Sequence, residues 1–187
     1  MSKIELFAAV ITVVSIVLTA IENIWCWPTG VVSVVLYAWI FWAARFYANA
    51  VLQIVVFLPL IIYGWYEWRH GGKNGTELPV SRTPLWGWVT TVLIGAAATA
   101  VVAWWMKANT NAAMPLADAG TTAFSIVAEA MTARKWIENW LIWIVVDGVS
   151  TWMFVTQRLY PSAVLYGVFV PLAVYGWIEW RKSLASA

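Results

Sequence analysis

Two carboxylates stand out because of where they fall. Glu129 and Asp147 lie inside long apolar stretches, and an ionised group at bilayer depth costs at least about 2.5–3.5 kcal/mol on insertion scales, so each needs a partner or a task. Asp147 is the deeper of the two. Glu129 is only five residues from Arg134, which leaves a structural pairing and a functional role equally open. Trp136, Asn139 or Trp140, Trp143 and Asp147 recur at steps of three to four, a spacing that stacks them on one helical face. Indole faces attract positive charge and a carboxylate supplies the counter-ion, so this stripe suits an organic cation. Gln53 interrupts a run of Val, Leu, Ile and Phe. An amide in lipid either bridges helices or contacts a ligand. Thr121, Thr122 and Ser125 open a segment rich in small residues, where close helix packing is the simpler role. Trp25, Trp27, Trp65, Trp68, Trp86, Trp177 and Trp180 sit at the ends of apolar runs, where an interfacial aromatic belt is expected.

The elements that must position these residues follow from composition. Hydrophobic residues make up 63% of the 187 positions and charged residues 11%, against roughly 45–50% and 25% in soluble domains. The apolar runs recur along the whole chain between short polar breaks, which predicts an all-α integral membrane bundle in a single domain, 1–187. Since about 20 apolar residues cross the hydrocarbon core, seven spans are expected near 4–21, 28–46, 49–66, 84–106, 117–133, 139–157 and 160–178. The first follows Lys3 but lacks a small-residue cleavage site, so it reads as a retained helix. Arg69 to Arg82, with Gly71-Gly72, Asn74-Gly75 and Pro79, reads as a solvent loop that also carries His70.

The chain contains an internal echo. Pro59-Leu-Ile-Ile-Tyr-Gly-Trp-Tyr-Glu-Trp-Arg69 recurs as Pro171-Leu-Ala-Val-Tyr-Gly-Trp-Ile-Glu-Trp-Arg181, with eight of eleven positions identical. Ala50-Val51-Leu52 echoes Ala163-Val164-Leu165, and Glu22-Asn23 echoes Glu138-Asn139. Residues 1–69 and 117–182 therefore read as two three-helix repeats joined by a linker helix, 84–106. Three spans plus one make an even number of crossings, so the copies share one orientation, as a parallel repeat. In transporters built this way the substrate site lies near the midplane between the copies. Seven crossings place Lys3, Arg45, Lys107 and Arg158 on one side and Arg69, Lys73, Arg82, Arg134, Lys135, Arg181 and Lys182 on the other. The positive-inside rule then puts the N-terminus outside and the C-terminus in the cytoplasm.

A lone Cys26 excludes an internal disulfide, and no Cys/His cluster exists for a metal. No phosphate-binding loop or nucleophile constellation is present, which argues against an enzyme, a cofactor or a nucleic-acid partner. The chain resembles the Pnu-type vitamin transporter family. The matching residues are Glu22-Asn-Ile-Trp-Cys-Trp-Pro-Thr-Gly30, Leu36-Tyr37, Phe46-Tyr47-Ala-Asn-Ala-Val-Leu-Gln53, Arg134-Lys135, Glu138-Asn-Trp-Leu-Ile-Trp143, Leu159-Tyr160 and Ala163-Val-Leu-Tyr166. They extend over nearly the whole chain. The resemblance implies a three-plus-one-plus-three arrangement like that of SWEET sugar transporters, in the bacterial inner membrane. It further implies facilitated diffusion of a B-type vitamin, foremost nicotinamide riboside, with trapping by a cytoplasmic kinase. Its Trp-x-x-Trp signature falls on Trp140 and Trp143, the Asn before it on Asn139, and its helix-three Gln on Gln53. Some nicotinamide riboside members carry Asn where this chain has Asp147. An acid suits the pyridinium of nicotinamide riboside and the cation of thiamine alike, and suits neutral riboflavin least. A membrane subunit dependent on an ATP-driven partner is the rival reading, and a homo-oligomer is compatible with either.

Overall fold

A chain that must satisfy its backbone polar groups without water forms helices, and here it forms seven long ones. The structure, a computed structural model, describes residues 3–186. Helix α1 (Lys3–Ala20) packs on α2 (Cys26–Ala43), and α2 on α3 (47–70). Helix α3 packs on α5 (Pro115–Ala133), α5 on α6 (Asn139–Thr156), α6 on α7 (Tyr160–Ser186), and α7 returns to α1. Six helices thus close a ring. Helix α4 (Leu85–Asn109) stands outside it and, among the described residues, packs on α5 alone.

Six helices are long and apolar enough to cross a membrane. The exception is α5, where a seventh span is expected from the sequence. The packing supplies the reason: α5 is flanked by α3, α4 and α6, and its buried face is built largely of Ala119, Ala123, Ala128 and Ala133. A helix covered by protein, with α4 between it and lipid, needs small side chains for close approach more than it needs apolar bulk.

The contacts at one end of the ring come in pairs of residues 113 or 112 positions apart. The Trp27 ring lies over Gly64, and the Trp140 ring over Gly176. Trp27 packs edge-on against Trp68 at 5.2 Å, and Trp140 against Trp180 at 5.4 Å. Trp68 donates its indole N–H to the Thr132 carbonyl at 3.1 Å, and Trp180 donates to the Thr19 carbonyl at 3.0 Å. Trp68 and Trp180 meet at 5.9 Å in the middle. Trp27, Trp68 and Trp180 are therefore core residues, 3%, 2% and 0% exposed, and not the interfacial belt expected of tryptophans at span ends. Trp25 and Trp86 do keep exposed positions, at 65% and 57%.

The turns carry the same pairing. Helices α1, α2, α5 and α6 end on left-handed residues, Glu22, Arg45, Lys135 and Arg158, with φ of 57°, 64°, 49° and 60°. In each turn the next residue's N–H reaches back five positions, as in Asn23 to Leu18 and Trp136 to Met131, a Schellman closure of the helix end. The structural counterpart of Glu22 is thus Lys135, not Glu138 as the Glu-Asn echo suggests. The two counterparts bond to each other at 2.8 Å, and the Lys135 ammonium lies 4.5 Å from the Trp68 ring.

The pairing slips by one residue inside α3. Tyr47, Ala50 and Leu52 precede Tyr160, Ala163 and Leu165 by 113 positions, whereas Pro59, Gly64 and Trp68 precede Pro171, Gly176 and Trp180 by 112. Between them, at Gln53–Phe57, α3 makes a π-helical turn flanked by α-helical Tyr47–Leu52 and Leu58–His70. A π turn absorbs one extra residue without changing the phase of the helix beyond it, and such turns cluster at functional sites.

The polar stretch after α3 is more than a solvent loop. Val80 and Thr83 are buried. Ser81 N–H donates to the Lys135 carbonyl at 3.0 Å and Ile137 N–H to the Ser81 carbonyl at 2.9 Å. Thr83 donates both its N–H and its hydroxyl to the Glu138 carboxylate, at 2.8 and 2.7 Å. The segment straps the α5–α6 turn. His70 remains exposed, stacked on Tyr66 at 4.8 Å.

A Cβ at Gly64 would fall within the Trp27 ring, and one at Gly176 would stand 2.5 Å from the Trp140 ring. Gly64→Ala and Gly176→Ala are each expected to cost about 1–3 kcal/mol by overpacking, read as a lower apparent melting temperature in detergent. Gly148→Ala, where a Cβ meets nothing within 4 Å, is expected to leave it unchanged or raise it. Equal losses in all three would remove ring-on-glycine packing as the cause.

Candidate functional site

The stripe on α6 divides on inspection. Asn139 is fully buried and spent on structure: its amide donates to the Trp136 carbonyl at 2.7 Å, and its carbonyl oxygen lies 3.1 Å from the Thr132 hydroxyl. Trp140 is 3% exposed and packed between Gly176 and Trp180. Its indole N–H and that of its counterpart Trp27 are both buried without a hydrogen-bond partner. Trp143, half-buried, points its N–H toward the Thr132 hydroxyl at 3.4 Å. Asp147 follows one turn later, 4% exposed. It lies eight residues into an 18-residue helix, about 12 Å from its start. No cation or hydrogen-bond donor meets its carboxylate among the described residues.

The neighbours of Asp147 were missed in the sequence. Tyr166 on α7 has Asp147, Tyr37 and Asp118 as its electrostatic neighbours. Tyr37 on α2 lies beside Thr12 on α1, and the Thr12 hydroxyl meets the Ser33 hydroxyl at 2.6 Å. Polar groups from α1, α2, α6 and α7 thus gather on one level of the ring. The signal available was Ser33 with Tyr37, four residues apart inside an apolar run, on the face where α2 meets α1. Gln53 is half-buried at the first position of the π turn. Glu129 is half-buried on α5, without a side-chain partner among the described residues, in electrostatic reach of Cys26.

The two halves agree in packing and disagree at these positions. Counting 113 back, Trp143 corresponds to Gly30, Asp147 to Val34, Glu129 to Ile16 and Tyr166 to Gln53. Paired residues such as Trp27 and Trp140, or Gly64 and Gly176, hold the ring together. The four residues with unlike counterparts all lie on ring helices. The arrangement places a buried, uncompensated carboxylate and an indole one turn apart, walled off at one end by the tryptophan cluster. Among the clefts lined by the described residues are two of about 540 and 280 Å³. Both lie at the tryptophan end, and neither includes Gln53, Asn139, Trp140, Trp143 or Asp147.

Comparison with known proteins agrees with this architecture. The nicotinamide riboside transporter PnuC of Escherichia coli (strain K12) is 30% identical over 98% of this chain and 87% of its own length. The riboflavin/roseoflavin transporter RibM of Streptomyces davaonensis is 28% identical over 85% of this chain and 75% of its own. The crystal structure of the vitamin B3 transporter PnuC superposes with a TM-score of 0.75 at 25% identity, covering 96% of this chain and 80% of that one. The family profile described as nicotinamide mononucleotide transporter matches residues 2–182. A match of that length, with a relative of that identity, makes this multi-pass membrane protein a member of the nicotinamide mononucleotide transporter family.

Proposed function

We propose that the chain takes up a cationic B-type vitamin, nicotinamide riboside, by facilitated diffusion, with phosphorylation by a cytoplasmic kinase making uptake one-way. The observation that carries this reading is the uncompensated carboxylate of Asp147, buried one turn beyond Trp143. A buried charge without a partner is strongly unfavourable, and a pyridinium stacked on the Trp143 face relieves it. Gln53 supplies a polar contact from the opposite half, at the π turn. Asn139, whose amide the protein itself engages, and Trp140, whose ring is packed on Gly176 and Trp180, position Trp143 from behind. Among the relatives, the PnuC transporters support nicotinamide riboside. RibM shows that the fold also accommodates a flavin, whose neutral ring has no need of an acid at position 147.

The seven helices are proposed as two parallel three-helix repeats joined by α4, a SWEET-like three-plus-one-plus-three ring. The exchange of contact α1–α7 with contact α5–α3 under that relation supports it. Helix α5 then crosses the membrane behind α4. With seven basic residues against four, the tryptophan end faces the cytoplasm of a bacterial inner membrane. Release to the cytoplasm then requires Trp68 to part from Trp180 and Glu22 from Lys135, with Pro59 and Pro171 as the places where the long helices bend.

Asp147→Asn is expected to weaken nicotinamide riboside binding by about 1.5–3 kcal/mol, the range of a charged polar contact, and Trp143→Ala by about 0.5–2 kcal/mol. Calorimetry on the purified protein reads both, with thiamine and riboflavin titrated in parallel. Unchanged affinity in both variants would sink the site, and tighter binding of thiamine would reassign the substrate. Uptake of nicotinamide riboside into liposomes holding the chain alone, without nucleotide or ion gradient, checks facilitated diffusion; no uptake would refute it.

Reversing one charge of the cytoplasmic pair, as Glu22→Lys or Lys135→Glu, is expected to lower the apparent melting temperature, because like charges then face each other beside Trp68. Exchanging both should recover most of the loss. Failure of the exchange to recover it would remove the ion pair from the closure of that end.

A further inference from the structure

We infer that the cleft between Arg82 and Arg181 is a binding site for the phosphate of an anionic phospholipid. At the tryptophan end, most basic side chains near the turns are occupied. Arg69 lies over Trp65 at 5.4 Å, Arg134 over Trp136 at 5.6 Å, and Lys135 and Lys182 hold Glu22 and Glu179 at 2.8 and 2.7 Å. Arg82 and Arg181 are exposed and have no partner among the described residues, yet they line one cleft of about 540 Å³. The contrast with the other half is direct. Arg69 and Trp65 are the counterparts of Arg181 and Trp177, 112 positions earlier, and there the guanidinium lies on its own indole. Arg181 instead shares its cleft with a second arginine, Arg82.

Arg82 is held in place by its neighbours. Ser81 is bonded on both sides to the α5–α6 turn at 3.0 and 2.9 Å, and Thr83 is bonded twice to Glu138. Those bonds also occupy the Glu138 carboxylate, as Lys182 occupies that of Glu179. Two like charges lining one cleft repel, and an anion between them reverses the sign of the interaction. Guanidinium forks fit phosphate oxygens in pairs.

The rest of the cleft selects a lipid over a soluble anion. Its remaining walls are Ile137, Trp177, Leu184 and Ala185, apolar surface that a free phosphate would leave uncovered. Trp177 has the amphipathic ring favoured at the headgroup level. The cleft lies toward the end of α7, whose lining residue Trp177 adjoins the exposed Ile178 in sequence. Basic pockets between membrane helices are a known mode of anionic headgroup recognition. Assignment to the cytoplasmic leaflet rests on the orientation proposed above; recognition of the phosphate does not.

The test is titration of the detergent-purified full chain with phosphatidylglycerol, phosphatidylcholine and inorganic phosphate, with bound lipid counted by native mass spectrometry. Phosphatidylglycerol is expected to be retained in preference to phosphatidylcholine. Arg82→Gln combined with Arg181→Gln should weaken its retention roughly tenfold or more, consistent with loss of charge-assisted bonds, while nicotinamide riboside binding stays unchanged. Equal retention of the two lipids, retention unaffected by the double variant, or inorganic phosphate competing as well as the lipid would each overturn the assignment. Should the double variant not fold, the single variants decide: each must weaken retention, and unchanged retention in both refutes the site. A loss of vitamin binding in the wild type alone would count against the proposed substrate and leave this site standing.

Discussion

An indole laid directly on a glycine backbone is the contact from which most of this architecture follows. Trp27 can cover Gly64, and Trp140 can cover Gly176, only because no Cβ stands between ring and helix. That closeness brings α2 onto α3 and α6 onto α7. It also presents each ring edge-on to the next tryptophan, so Trp68 and Trp180 meet between the two halves. In lipid, apolar burial drives little association between helices, and close packing with occasional interhelical hydrogen bonds must supply it. The indole N–H bonds from Trp68 to Thr132 and from Trp180 to Thr19 tie each half to the opposite one. The ring is therefore closed by the same side chains that seal one of its ends.

The seal also explains how scaffold and site coexist in so short a chain. The tryptophan–glycine contact and the indole bond across the ring are each used twice, and Asp147 and Tyr166 take no part in either. Helix α4 contributes nothing to the ring directly. By covering α5 it permits a helix that carries Asp118 and Glu129 to sit against the other helices without an apolar outer face.

Much of this was legible in the residues. The hydropathy runs marked the helices closely, and the repeated Tyr-Gly-Trp of the two long motifs announced duplicated contacts. What misled was position. A tryptophan at the end of a span looks the same from sequence whether it meets headgroups, as Trp25 and Trp86 are free to do, or a glycine on the next helix. The cue was Gly64 and Gly176 inside the repeat, since a shared glycine implies a shared close approach. The Glu-Asn echo misled differently: the chain pairs positions by helix ends and not by residue identity, so an acid came to correspond to a lysine. The roles of Asn139 and Trp140 depended on what lay across the bundle, which a stripe on one helix does not disclose.

The π turn at Gln53 bears on how a ligand sits. A ring whose halves matched everywhere would offer any bound molecule two equivalent orientations related by a half-turn, and an asymmetric vitamin would divide its population between them. The turn adds one residue to α3 just where Gln53 has a tyrosine, Tyr166, as its counterpart, and Asp147 has a valine, Val34. At the proposed site those differences favour one pose over the other. The chain departs from its internal pairing at the level of Asp147 and keeps that pairing at the tryptophan–glycine contacts.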